Sequence, residues 1–239
     1  NNDISGWNAD KTQAHLLESK EQLLCDWIVR CLQGIQTAKL PLPIAFSLQN
    51  EPDVIKEYQS CGYEMDQYIR VAKLMRRTLD AAGYAEIDLL GPEGGGYISN
   101  KRWFGENASA FDEDPEYADA IDAIATHSYP YKQGTPDSAI IDFVAACDKY
   151  PEKDRWQTEL CNGNQWGATQ VDRAILTMGT LNSDMVWGRM NYWLWWIGFD
   201  TRYSIDAEYQ ESLLGGDGVT YVTPSAQYLV LQKLYKNAY

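Results

Sequence analysis

Short, almost uninterrupted apolar runs alternate along this chain with longer stretches whose apolar residues recur at helical spacing. Ile44-Ala45-Phe46-Ser47-Leu48 lies between Leu40-Pro41-Leu42-Pro43 and Gln49-Asn50-Glu51-Pro52. A continuous apolar run closed by turn residues suits a strand buried on both faces, as in a parallel sheet. Ile87-Asp88-Leu89-Leu90 and residues 121–126, 155–159 and 190–197 read as four further strands. Between the runs lie helical patterns. Residues 12–37 carry Leu16, Leu17, Leu24, Trp27, Ile28, Cys31 and Ile35 at helical spacing, up to prolines that forbid continuation. Residues 65–82 carry Met65, Ile69, Ala72, Met75 and Leu79 and are closed by Gly83. Thr135-Pro136 reads as an N-cap with proline at the first helical position, opening a helix through Ala146. Thr169 with Asp172 resembles a capping box for a helix reaching about Leu181, and Thr223-Pro224 reads as the cap of a terminal helix.

Strands alternating with helices make βα units and a parallel sheet, an α/β fold. What distinguishes the pattern is the chemistry at the strand ends. Asn50-Glu51, Glu93, His127 with Tyr129, Glu159, and the Trp193, Trp195 and Trp196 cluster all follow or close a strand. In a (β/α)8 TIM barrel that end of the strands holds the active site. A doubly wound sheet would also place a ligand there, but with a glycine-rich phosphate loop near its first strand, which Gly94-Gly95-Gly96 matches poorly. The barrel is favoured. Five strands do not close one, since eight are needed at a tilt and stagger linked to that number. Residues 1–9 read as a strand-end loop running into a helix, so about three βα units are expected upstream, with the last five present here. The whole of 1–239 is expected to form one incomplete catalytic barrel domain: loop and helix over 1–43, barrel strands and helices over 44–199, and a loop and terminal helix over 200–239.

Composition narrows the partners. With 34 acidic against 20 basic residues the formal net charge is −14, and no basic stripe offers a footprint for nucleic acid. No apolar run is long enough to span a bilayer. Nine Trp and 16 Tyr exceed what one core needs, leaving flat faces to stack on sugars. The five cysteines form no CxxC pair and lie near no His at ligand spacing, so neither a zinc site nor a disulfide framework is indicated, although a Cys61–Cys147 pair stays open. Asn107-Ala108-Ser109 is a glycosylation sequon on sequence alone.

Two strand-end carboxylates 108 residues apart, Glu51 and Glu159, suggest glycosidic bond cleavage. That reaction needs one carboxylic acid to protonate the departing oxygen and a second carboxylate to attack the anomeric carbon or activate water. Retention of configuration requires the two groups roughly 5–5.5 Å apart. If these strands are the fourth and seventh of a barrel, their ends face each other across its mouth. Asn50 is suited to hydrogen-bond a ring hydroxyl, and Pro52 stops the strand and fixes the direction of the chain.

Ser47-Leu48-Gln49-Asn50-Glu51-Pro52-Asp53 and Trp156-Gln157-Thr158-Glu159 resemble the acid/base and nucleophile motifs of glycoside hydrolase family 30, of the clan A barrels. Gly91-Pro92-Glu93, His127-Ser128-Tyr129 and the Trp-rich last strand extend the resemblance over essentially the whole chain. It implies that Glu51 is the general acid/base, Glu159 the nucleophile and Asn50 a sugar ligand. Tyr129 or His127 would hydrogen-bond Glu159 and keep it ionised. Glu93 would contact substrate or support its loop, and Trp195 would be a sugar platform, with Trp193 on the same face and Trp196 on the other. No cofactor or metal is implied. The partner would be a β-linked polysaccharide or oligosaccharide, xylan first, with β-1,6-glucan or β-galactan as alternatives. A secreted or periplasmic location follows from the same resemblance. Two departures stand out: neither chain end supplies the family's small β-sandwich, and Arg202 is an unconvincing match to the arginine that grips a glucuronic acid branch in some family xylanases. A non-catalytic carbohydrate-binding relative is the competing class.

Overall fold

The computed structural model describes residues 15–55, 60–104, 110–129, 138–161, 169–200, 212–216 and 222–237. Residues 1–9, the start of the first helical pattern at Thr12, the sequon at Asn107, the Thr135-Pro136 cap and Arg202 lie outside them. The chain divides into two compact units, 1–127 with 142–156 and 128–141 with 157–239.

In the first unit a 3-10 turn, Glu18–Lys20, leads into α1 (Glu21–Thr37), followed by β1 (Ala45–Ser47), α2 (Met65–Ala81) and β2 (Asp88–Gly94). The short helices α3 (Tyr97–Phe104), α4 (Ala110–Glu113) and α5 (Pro115–Ala120) precede β3 (Ala123–His127). β1 pairs with β2 and β2 with β3, both parallel, and the sheet continues through β4 (Asp154–Glu159) to β5 (Tyr192–Trp193) in chain order. This is the succession that βα units produce. Leu90, Ala123, Ala125 and Trp156 form a buried cluster on these strands, with Ala45 packed against it.

The helices depart from the expected faces. α1 buries Cys25, Val29 and Leu32, together with Glu21, whereas Trp27 is 56% exposed. Apolar residues surround this helix on several sides, so periodicity alone did not choose the face. Burial of Glu21 is possible because the Arg70 guanidinium and the Gln67 amide of α2 hydrogen-bond its carboxylate. α2 buries Ala72, Met75 and Leu79 as expected and adds Tyr68 and Val71, while Met65 is exposed and Ile69 half-buried. Its end matches expectation: Gly83 takes a φ of +84°, a left-handed value that costs glycine nothing, and donates back to Asp80. The segment with Trp103-Phe104, read from sequence as a loop, is the helix α3, and both side chains are buried among Tyr68, Phe111 and Phe143.

In the second unit α6 (Ser138–Cys147), which both units share, is followed by the second half of β4, α7 (Gln170–Val186) and β5. The capping box of α7 is present: Thr169 Oγ1 accepts from the Asp172 N–H at 3.1 Å and Asp172 accepts from the Thr169 N–H at 3.3 Å. The helix runs one turn past Leu181. The last strand is much shorter than residues 190–197, with only Tyr192 and Trp193 in the ladder. Beyond it, β6 (Phe199–Asp200), β7 (Leu214–Gly216) and β8 (Val222–Pro224) form a small second sheet that the sequence did not announce. Thr223-Pro224 therefore lies in a strand opposite Gly215 and Leu214, and the terminal helix α8 (Ala226–Asn237) is capped by Ser225, whose hydroxyl accepts from the Tyr228 N–H.

Candidate active site

In the first unit β1, β2 and β3 lie side by side, and the residues at or just beyond their ends bring Glu51, Glu93 and His127 together. The chain leaves β1 in a tight bend. Glu51 has a φ of +45°, and its N–H donates to the Glu93 carbonyl at 3.1 Å, while its own carbonyl accepts from Val54. Glu93 has a φ of +58° and sits where the β2–β3 register shifts between Pro92 and Gly94. Such bulges re-aim a side chain, and proline is tolerated there because no ladder hydrogen bond is asked of it. Left-handed backbone at a residue with a side chain costs on the order of 1–3 kcal/mol and persists where the surroundings over-determine it. Two of the four such residues among those described are these strand-end glutamates.

His127 is completely buried at the end of β3. Its Nδ1 lies 3.2 Å from Glu51 Oε1, and its Nε2 lies 3.9 Å from Glu93 Oε1. Two proton placements fit the shorter contact: Nδ1–H donating to a Glu51 carboxylate, or a protonated Glu51 donating to Nδ1. Either fixes the direction in which the Glu51 carboxyl points. The Glu51 side chain keeps 12% exposure, so it is a nearly enclosed carboxyl with a small opening. Through Nδ1, His127 bonds the glutamate at the end of the first strand. Asn50 is exposed, and its carbonyl accepts from Gln49.

Two residues that sequence reading passed over complete this half. Gly95 lies against Glu51: a Cβ at position 95 would stand 3.1 Å from Glu51 Oε1. Asn100, fully buried, accepts from the Gly94 N–H at 2.7 Å and donates to the Ala125 carbonyl at 2.7 Å, tying the end of β2 to β3. The triple glycine was the available signal for Gly95; it was weighed only as a phosphate loop.

In the second unit Glu159 closes β4, half-buried, and its carbonyl accepts from the Ser128 N–H at 3.4 Å. The Tyr129 hydroxyl accepts from the Cys161 N–H at 2.8 Å and lies 3.3 Å from Cys161 Sγ. Burial above all, and then the neighbouring Cys161 and Glu159, push the Tyr129 phenol well above its ordinary pKa, so the hydroxyl keeps its proton and can serve as a donor. Trp193 and Trp195 share a face as alternation predicted, with ring centroids 5.8 Å apart and planes at 37°. Trp196 is 45% exposed. The Trp193 indole N–H donates to Asp184 of α7 at 2.8 Å. Asp184 was also missed, because within a helical pattern nothing marks one acid as buried.

No protein-family model and no curated protein matches the chain. Solved structures do. The glycoside hydrolase family 30 subfamily 8 xylanase of Clostridium acetobutylicum matches with a TM-score of 0.64 over 94% of this chain and 49% of its own, at 21% identity. The catalytic domain of a family 30 xylanase from Talaromyces cellulolyticus matches with a TM-score of 0.71, over 97% and 51%, at 14% identity. An endo-β-1,6-glucanase matches with a TM-score of 0.68, over 92% and 49%, at 16% identity. At these identities the likeness is one of fold. The chain has the architecture of part of a (β/α)8 barrel of the kind found in glycoside hydrolases, and it spans about half the length of the structures it matches.

Proposed function

We propose that the chain is the carboxylate-bearing portion of a family 30 glycoside hydrolase that cleaves a β-linked polysaccharide with retention. The observation that carries this reading is the nearly enclosed Glu51 carboxyl, held by a buried His127 at 3.2 Å in a bend that forces Glu51 into left-handed backbone. A solvated strand-end glutamate requires neither. The Asn-Glu-Pro and Gln-Thr-Glu sequences and the likeness in fold to family 30 xylanases support it further.

In this reading Glu51 protonates the glycosidic oxygen as the bond to the anomeric carbon breaks. The Glu159 carboxylate attacks that carbon and forms a glycosyl ester. Glu51, now ionised, takes a proton from water, the hydroxide oxygen attacks the anomeric carbon, and Glu159 leaves as carboxylate. Burial, and then the contact with the Cys161 sulfur, keep the Tyr129 phenol protonated. Trp195 provides a flat face for a sugar ring. Xylan is the favoured substrate, with β-1,6-glucan next because an endo-β-1,6-glucanase shares the fold, and β-galactan after that. A polymeric substrate also fits a secreted or periplasmic location.

The test is hydrolysis of glucuronoxylan, a β-1,6-glucan and a β-galactan by the full-length protein, with the anomer of the first product followed by NMR. The expected result is cleavage of one polymer with the β-anomer formed first, and loss of roughly 10⁴-fold or more in Glu159→Gln. Inversion, or hydrolysis unchanged in that variant, contradicts it. Binding without hydrolysis would identify a carbohydrate-binding relative instead.

A further inference from the structure

Asp184 lies in the last turn of α7 and is 1% exposed, a carboxylate with almost no access to water. One of its oxygens, Oδ2, accepts from two elements at once: the Ser128 hydroxyl after β3 at 2.9 Å and the Trp193 indole N–H in β5 at 2.8 Å. Its backbone is equally committed. The Asp184 carbonyl accepts from the Met190 N–H at 3.2 Å, and a Cβ at Gly188 would stand 2.6 Å from the same carbonyl oxygen. The turn from α7 to β5 therefore tolerates only glycine at 188, and Arg189 within it has a φ of +52°. A carboxylate out of reach of water is held there by the groups that hydrogen-bond it, and it holds them in place in return. What surrounds it is the indole of Trp193, whose ring lies 5.8 Å from that of Trp195.

We propose that Asp184 is a positioning residue that sets the aromatic platform for substrate: by fixing Trp193 through its indole N–H, it fixes the angle at which Trp195 meets a sugar ring. The inference rests on the glycosidase reading, in which Trp195 is that platform, and extends it to a residue of the helix α7. A hydrogen-bond anchor determines which way an indole faces, a choice that packing of a flat ring leaves open. Because the Trp195 platform touches substrate and not the reacting atoms, its misorientation weakens binding of substrate and transition state alike.

The experiment compares Asp184→Ala, Asp184→Asn, Trp193→Phe and the Asp184→Ala/Trp193→Phe pair in the full-length protein. It reads kcat and KM on whichever of glucuronoxylan and β-1,6-glucan the parent cleaves, and the exciton couplet of the tryptophan pair in circular dichroism. Asp184→Ala is expected to raise KM about tenfold with kcat within about threefold, the pattern of lost uniform binding, and to shrink the couplet. Asp184→Asn, whose amide oxygen still accepts, is expected to stay within about threefold on KM and to keep the couplet. Trp193→Phe raises KM as well, and the double variant adds nothing to the larger single effect. An unchanged KM in Asp184→Ala, a fall confined to kcat, or additive effects would overturn the proposal. Where Asp184→Ala does not fold, Trp193→Phe with an unchanged KM overturns it alone. A parent that neither cleaves nor binds any polymer refutes the glycosidase reading, and the couplet then still decides whether Asp184 orients the indoles.

Discussion

The Nδ1 atom of His127 lies 3.2 Å from Oε1 of Glu51, inside a pocket where the imidazole has no solvent exposure. A buried ring at that distance dictates where the carboxyl can point. The choice of ring nitrogen matters for replacement: the amide of Asn can stand where Nδ1 stands, whereas Gln reaches toward the position of Nε2. His127→Gln is expected to lower kcat by about 10²-fold, within the range that a misplaced general acid/base loses. His127→Asn is expected to lose less than tenfold. Steady-state kinetics on the cleaved polymer, with thermal melts to confirm folding, checks the order, and an equal loss in both would contradict a role through Nδ1.

Gly95 is a second control on the same carboxyl. In Gly95→Ala the new Cβ would press on Glu51 Oε1 from 3.1 Å and on Cδ from 3.5 Å. The carboxyl can give by rotating away, so the expected outcome is a fall in kcat of about tenfold or more, since displacing a reacting group by a fraction of an ångström is costly. The melting temperature should move by only a few degrees. Kinetics and melts on one preparation separate the two effects.

A stability prediction attaches to Glu21. Its hydrogen bonds from the Arg70 guanidinium, ahead of the opposing effect of burial, hold its carboxyl below the usual carboxylate range. Because the folded pKa is depressed, the contribution is present above the unfolded value of about 4.3 and is lost as pH falls through the folded pKa. Glu21→Gln should therefore cost about 1–3 kcal/mol at neutral pH, as expected for a charge-assisted hydrogen bond, and much less at acid pH. Urea denaturation at the two pH values measures the difference.

All five cysteines are free thiols, so the Cys61–Cys147 pair left open by the sequence is absent. Burial pushes the Cys25 and Cys147 thiols up to about 12, and both are fully enclosed, whereas Cys31 is exposed. Thiol titration of the native protein should find Cys31 reacting fast and Cys25 and Cys147 silent until denaturant is added. Rapid reaction of Cys147 in native buffer would contradict this.

How much the sequence disclosed depended on which physics marked each element. β1, β2 and β3 were legible because apolar runs end abruptly at polar residues, and the α7 capping box because its two partners sit three residues apart. The buried face of α1 was not legible: Glu21 is enclosed only because Arg70 and Gln67, some fifty residues away, neutralise and bond it. β5 was overextended because Trp195, Trp196 and Ile197 are residue types that favour strands, although the ladder stops at Trp193. In the candidate site the glutamates were found from their places after strands. The contact of His127 with Glu51 was not legible, because a strand-end histidine has several acidic neighbours in sequence. Gly95, Asn100 and Asp184 escaped because their roles are defined by contacts rather than by type.

The central claim is the division of roles between Glu51 and Glu159, and the most direct test is to trap the glycosyl ester. An activated 2-deoxy-2-fluoro-β-xyloside, or the matching glycoside of whichever polymer is cleaved, should inactivate the full-length protein with one sugar bound. Mass spectrometry should then find that sugar on the peptide carrying Glu159, and Glu51→Gln should still accept it. A label on any other residue, or turnover of an active enzyme with inversion and no covalent adduct, would contradict the assignment.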